Sequence, residues 1–72
     1  MYFRTLASNP AYDASLRHVI VWNHNHTAFL EAGSYRSHVE GKQLLLEAKR
    51  AYPDHMIERV TDKSFQYLTA AA

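Results

Sequence analysis

The sequence predicts a small α+β fold: an antiparallel sheet of three to five strands with one helix packed on one face, in the order β-β-β-α-β-β. Three observations lead there. Val19-Ile20-Val21-Trp22 is a run of β-branched and aromatic residues, followed by a polar turn and a second strand-like segment. A capped, amphipathic stretch runs from Ser37 to about Ala51. Beyond the stop at Pro53, two short apolar segments read as strands. One helix laid across one face of an antiparallel sheet buries the apolar side of both.

Taken in order, Tyr2 to Ala7 has a β-leaning composition without clean alternation, which suits an edge strand. Ser8-Asn9-Pro10 breaks it, because Pro10 cannot donate a ladder hydrogen bond. The strongest strand is Arg17 to Asn23. Asn23-His24-Asn25-His26-Thr27 is a credible hairpin turn, since asparagine tolerates left-handed geometry. Ala28 to Tyr35 returns as the partner strand. Pairing across that turn places Val19, Val21, Ala28, Leu30 and Ala32 on one face and Ile20, Trp22 and Phe29 on the other, with Tyr35 nearby. A slip of one residue would destroy the partition. Both faces carry large apolar groups, so one meets the helix and the other needs a cover, either a chain end or a partner.

Ser37-His38-Val39-Glu40 fits a capping box. Spaced at 3.6 residues per turn, Gly41, Leu44, Leu45, Ala48, Ala51 and Tyr52 form one stripe, while Val39 and Leu46 lie opposite. Lys49 and Arg50 suit the negative end of the helix dipole. After Pro53, His55 to Val60 reads as a strand, Thr61-Asp62-Lys63-Ser64 as a turn and Phe65 to Leu68 as its partner strand. The chain of 72 residues is expected to form a single domain, with residues 1–16 and 69–72 loosely attached.

Composition narrows the function. A formal net charge of +1 lacks the clearly basic balance of a protein held to nucleic acid by charge alone. Without cysteine there is neither a disulfide nor a thiolate metal site. The longest strictly apolar run is far shorter than the roughly 20 residues a membrane helix needs, and no secretory signal is recognisable. A cytoplasmic protein without membrane attachment is the expectation.

No constellation of residues suggests catalysis. The two glycines, Gly33 and Gly41, form no phosphate loop, and no serine sits in a nucleophile elbow. Among five histidines, His24 and His26 form a His-x-His pair that could begin a zinc site, with His18 on the same strand face by parity. Glu31 is the one hairpin carboxylate well placed, and it is set to pair with His18. The turn histidines therefore read as polar residues facing water, and neither metal nor cofactor is expected. The basic residues Arg17, Lys42, Lys49 and Arg50 offer a local strip for nucleic acid, but acidic residues are interleaved throughout the chain.

The informative excess is apolar and aromatic. Tryptophan and tyrosine are enriched at binding hot spots, and exposed apolar patches mark interfaces. Trp22, Phe29, Tyr35 and Ile20, rimmed by His24 and His26, are the candidate contact residues for a protein partner or a second copy.

From Ala32 to Asp62 the order is a strand, a capped helix with Glu47-Ala48-Lys49-Arg50-Ala51, an aromatic-proline stop at Tyr52-Pro53 and a strand of the type Met56-Ile57-Glu58-Arg59-Val60. This layout resembles small phage-encoded inhibitors of host factors, among them inhibitors of host RNA polymerase and several anti-CRISPR proteins. The resemblance implies a non-enzymatic protein that docks on a host complex; it carries over no functional residue. The expectation is therefore a small protein-binding module, with a nucleic-acid-binding accessory protein as the alternative.

Overall fold

The computed structural model describes residues 12–70. Its elements are β1 (Arg17–Trp22), β2 (Phe29–Tyr35), α1 (His38–Ala51), β3 (Ile57–Thr61) and α2 (Asp62–Ala70). The strands form one sheet in the order β2-β1-β3, antiparallel at both junctions. The class is α+β as expected, but the observed order is β-β-α-β-α, with two helices rather than one. The strand expected at Tyr2–Ala7 lies outside the described residues.

β1 is the central strand, and its composition suits that place. Val19 and Ile20 are fully buried and Val21 nearly so, which puts apolar side chains on both faces. Val19 and Val21 form the core under α1 together with Ala48, and Ala32, Tyr35, Leu44, Leu45, Tyr52 and Ile57 pack around them. The opposite face presents His18, Ile20 and Trp22.

The hairpin register contains one irregularity. Trp22 pairs with Phe29, Val21 with Leu30 and Ile20 with Glu31; the register then shifts, so that Val19 pairs with Gly33 and Arg17 with Tyr35. The extra residue in β2 is a bulge, and a shift of one residue reverses the face of everything beyond it. Tyr35, expected near Trp22, is thereby turned to the other side, where it packs against the α1 core.

The α1 stripe follows the sequence. Ser37 caps the helix: its hydroxyl accepts from the Glu40 amide at 3.2 Å, and the Glu40 carboxylate accepts from the Ser37 amide at 3.4 Å. Gly41 and Gly33 permit close approach. A Cβ on Gly41 would collide with the Tyr35 ring, and one on Gly33 would lie 2.9 Å from Leu44. Val39 and Leu46 are exposed on the far side, as the periodicity requires, while Ala51 is exposed rather than part of the packed stripe.

The segment Phe65–Leu68 is helical, not a strand. Thr61 Oγ1 accepts from the Ser64 amide at 3.1 Å, an N-cap bond that starts α2 directly from the end of β3. Asp62, Phe65, Gln66 and Thr69 then recur at helical spacing, and Phe65 packs on the face of the sheet opposite α1. The two helices therefore cover opposite faces, and a chain end supplies part of the cover that the second apolar face required.

Of the ends expected to be loosely attached, residues 1–11, 71 and 72 lie outside the described residues, while Asp13 and Leu16 bond to α2. The Asp13 amide donates to Asp62 Oδ2 at 2.9 Å, and the Asp62 amide donates to the Leu16 carbonyl at 3.2 Å. Among the described residues no helix is long and apolar enough to cross a membrane.

Candidate protein-binding groove

On the α2 face, β1 first places His18, which is 6% exposed. Its Nδ1 lies 2.6 Å from Glu31 Oε2 and its Nε2 lies 2.7 Å from Asp62 Oδ1. The Phe65 ring stacks on it at 4.0 Å, almost parallel. A carboxylate stands at each nitrogen, and the ring can donate to both at once only as the imidazolium. Burial opposes that charge, but the bonds to Glu31 and Asp62 outweigh it and raise the His18 pKa above its ordinary value. Asp62 is shifted down, first by the Asp13 amide and then by His18. One histidine ring thus joins β1, β2 and α2. The expected Glu31–His18 pair is present; the second carboxylate comes from Asp62, in the segment that the sequence predicts as a turn.

Two residues further along β1 stands Ile20, fully buried, and then Trp22 at the end of the sheet. The Trp22 indole donates to Glu58 Oε1 at 2.9 Å, which fixes its ring. Phe29, its cross-strand partner, lies 5.2 Å away between centroids, and Phe65 meets Phe29 edge-on at 6.1 Å. Trp22, Ala28, Phe29, Phe65 and Leu68 form the apolar walls of an open groove of about 550 Å³, with Glu31 at its polar side. Such rings, held by their neighbours but still reachable, give the amphipathic contact area that protein partners use.

The turn beside the groove is rigid for local reasons. Asn23 Oδ1 accepts from the amides of Thr27 at 2.9 Å and Ala28 at 3.3 Å, and its Nδ2 donates to Thr27 Oγ1 at 2.9 Å. His26 takes left-handed backbone geometry with φ 57°. Its ring lies beside Trp22 and reaches Met56 Sδ at 3.3 Å. The His24 ring instead packs on His55 at 4.5 Å, and His55 packs in turn on Tyr52. The two turn imidazoles therefore have different neighbours, and neither joins His18. Among the described residues no group of three histidines, aspartates or glutamates is arranged to hold a metal ion.

Of the predicted contact residues, Trp22, Phe29 and His26 come together. Ile20 is sealed in the interior, Tyr35 lies on the opposite face, and His24 belongs to the His55 cluster. Phe65 and Leu68 complete the groove and were missed as helical residues. Their signal was the Thr61-x-x-Ser64 cap ahead of an apolar pair spaced three apart. The predicted basic strip also divides: Lys42 and Arg50 flank the outer face of α1, whereas Arg17 lines a different cleft at the far end of β1.

Compared with known protein families, curated proteins and solved structures, the chain matches none of them.

Proposed function

We propose that this chain is a small, non-enzymatic protein-binding module that acts sterically, seating an apolar side chain of a partner protein between Trp22, Phe29, Phe65 and Leu68. The observation that carries this reading is the groove itself, an open trough whose walls are mostly aromatic and aliphatic and whose rings are held by Glu58 and by one another. The chemistry of His18 supports the non-enzymatic part. Both of its nitrogens are engaged by carboxylates, so neither is left to exchange a proton with a molecule in the groove. Inhibition of a larger host complex is the form of this activity in keeping with the phage-encoded inhibitors that Ala32–Asp62 resembles.

The test is retention of proteins from cell lysate on immobilised wild type, Phe29→Ala and Leu68→Asp, with circular dichroism confirming that each variant is folded. A partner held by the wild type should be lost from both variants, with affinity reduced roughly thirtyfold for a central aromatic contact. If the folded variants retain the same proteins as the wild type, this groove is not the docking surface.

A further inference from the structure

Eight basic residues stand against seven acidic ones, but the fold does not distribute them evenly. Arg17, Arg36 and Arg59 line one open cleft of about 550 Å³, bordered by Tyr35, Thr61 and His38, and no carboxylate is among its lining residues. Sheet register produces this gathering. Arg17 pairs with Tyr35 on one side and with Thr61 on the other, and Arg59 pairs with Val19. Arg59 is thus the diagonal neighbour of Arg17 across β1 and β3, on the face that carries α1. Arg36 follows the end of β2, and His38, the first residue of α1, closes the border.

The three guanidinium groups are only partly committed. Arg17 Nη1 donates to the carbonyls of Ala14 at 2.9 Å and Leu16 at 3.3 Å, which engages one nitrogen of the guanidinium and leaves the donors on the other two. Arg36 Nη2 pairs with Asp13 Oδ2 at 2.6 Å in an exposed bridge. Arg59 makes no hydrogen bond or ion pair among the described residues. Three guanidinium groups lining one cleft with spare donors, only Arg36 of them met by a carboxylate, suit a tetrahedral oxyanion, which a fork can grip with two parallel bonds.

We propose that this cleft binds a phosphate group. It lies on the α1 face, away from the aromatic groove, so the proposal stands apart from the protein-binding reading. The same chemistry is offered by a small phosphorylated molecule and by the backbone of a nucleic acid. Two-dimensional amide NMR on the full chain, titrated first with inorganic phosphate at constant ionic strength and then with a short single-stranded oligonucleotide, separates these sources.

The expected result is saturable shifts confined to Arg17, Arg36, His38, Arg59 and their neighbours. Arg59→Ala should weaken binding about tenfold, since it removes charge-assisted bonds to the anion and no hydrogen bond or ion pair among the described residues. Lys49→Ala should leave it unchanged. Saturation by phosphate, with no tighter binding of the oligonucleotide, assigns the cleft to a small phosphorylated ligand. Tighter oligonucleotide binding that falls with salt and with Arg59→Ala assigns it to a nucleic-acid backbone. The proposal is overturned by no saturable shift at tens of millimolar phosphate, by equal shifts at Lys42, Lys49 and Lys63, or by an Arg59→Ala variant that binds as the wild type does.

Discussion

The two faces of this sheet are joined to their helices by different physics, although both use alternate residues of the same strand. Toward α1, β1 presents Val19 and Val21, buried against Ala48, Leu44 and Leu45, with Gly41 and Gly33 letting Tyr35 and Leu44 interlock across the boundary. Toward α2 it presents the fully buried Ile20 and, beside it, His18, whose ring is clasped by Glu31 and Asp62 and covered by Phe65. Apolar contact is nearly indifferent to pH and spread over many atoms. The clasp depends on one proton on one ring. The difference teaches that α1 holds the fold together, while α2, with nine residues, is held by a local and titratable joint.

The strongest way to break this comparison is Val19→Ala. Val19 is fully buried under α1, so losing two methyl groups and leaving a void should cost about 2–3 kcal/mol of global stability. A urea midpoint measured by far-ultraviolet circular dichroism checks it. A loss well under 1 kcal/mol would mean that the α1 face is not the main source of stability.

How much of this was legible in the sequence depends on whether the signal was local. The Ser37–Glu40 box, the stripe from Gly41 to Tyr52 and the β-branched run in β1 are short-range codes, and the structure follows each of them except at Ala51. The bulge in β2 leaves no such mark, yet it moves Tyr35 from one face to the other. Phe65-Gln66-Tyr67-Leu68 is too short for its periodicity to decide between strand and helix, and the Thr61 cap decides it. Half the candidate groove was therefore visible, in Trp22 and Phe29. The other half required α2. The arginine cleft was illegible for a related reason: register brings together Arg17, Arg36 and Arg59, which the chain keeps far apart.

A smaller, local effect is expected from His18→Leu. The change leaves the α1 face untouched and removes the shared partner of Glu31 and Asp62. Protection of α2 amides from hydrogen exchange should fall about tenfold, while that of α1 changes little. Exchange that rises equally in both helices would show that the two faces stand or fall together, and the comparison would fail.

The smallest expected effect is the pH dependence of the same joint. The groups facing His18 are Glu31 from β2 and Asp62 and the Phe65 ring from α2, with uncharged Val60 opposite it on β3. The folded-state pKa of His18 is raised, so its contribution is fully present below the ordinary histidine value of 6.5 and is lost as pH rises through the folded-state value. Asp62 is shifted in the opposite sense. Its contribution is present above the ordinary value of 3.8 and is lost as pH falls through its lowered folded-state value. Protection of α2 amides, corrected for intrinsic exchange, should therefore be greatest between these two limits and should decline on the alkaline side first, since His18 is the only member that deprotonates there. In His18→Leu that alkaline decline should vanish. If it persists, the proton that holds α2 in place is not on His18.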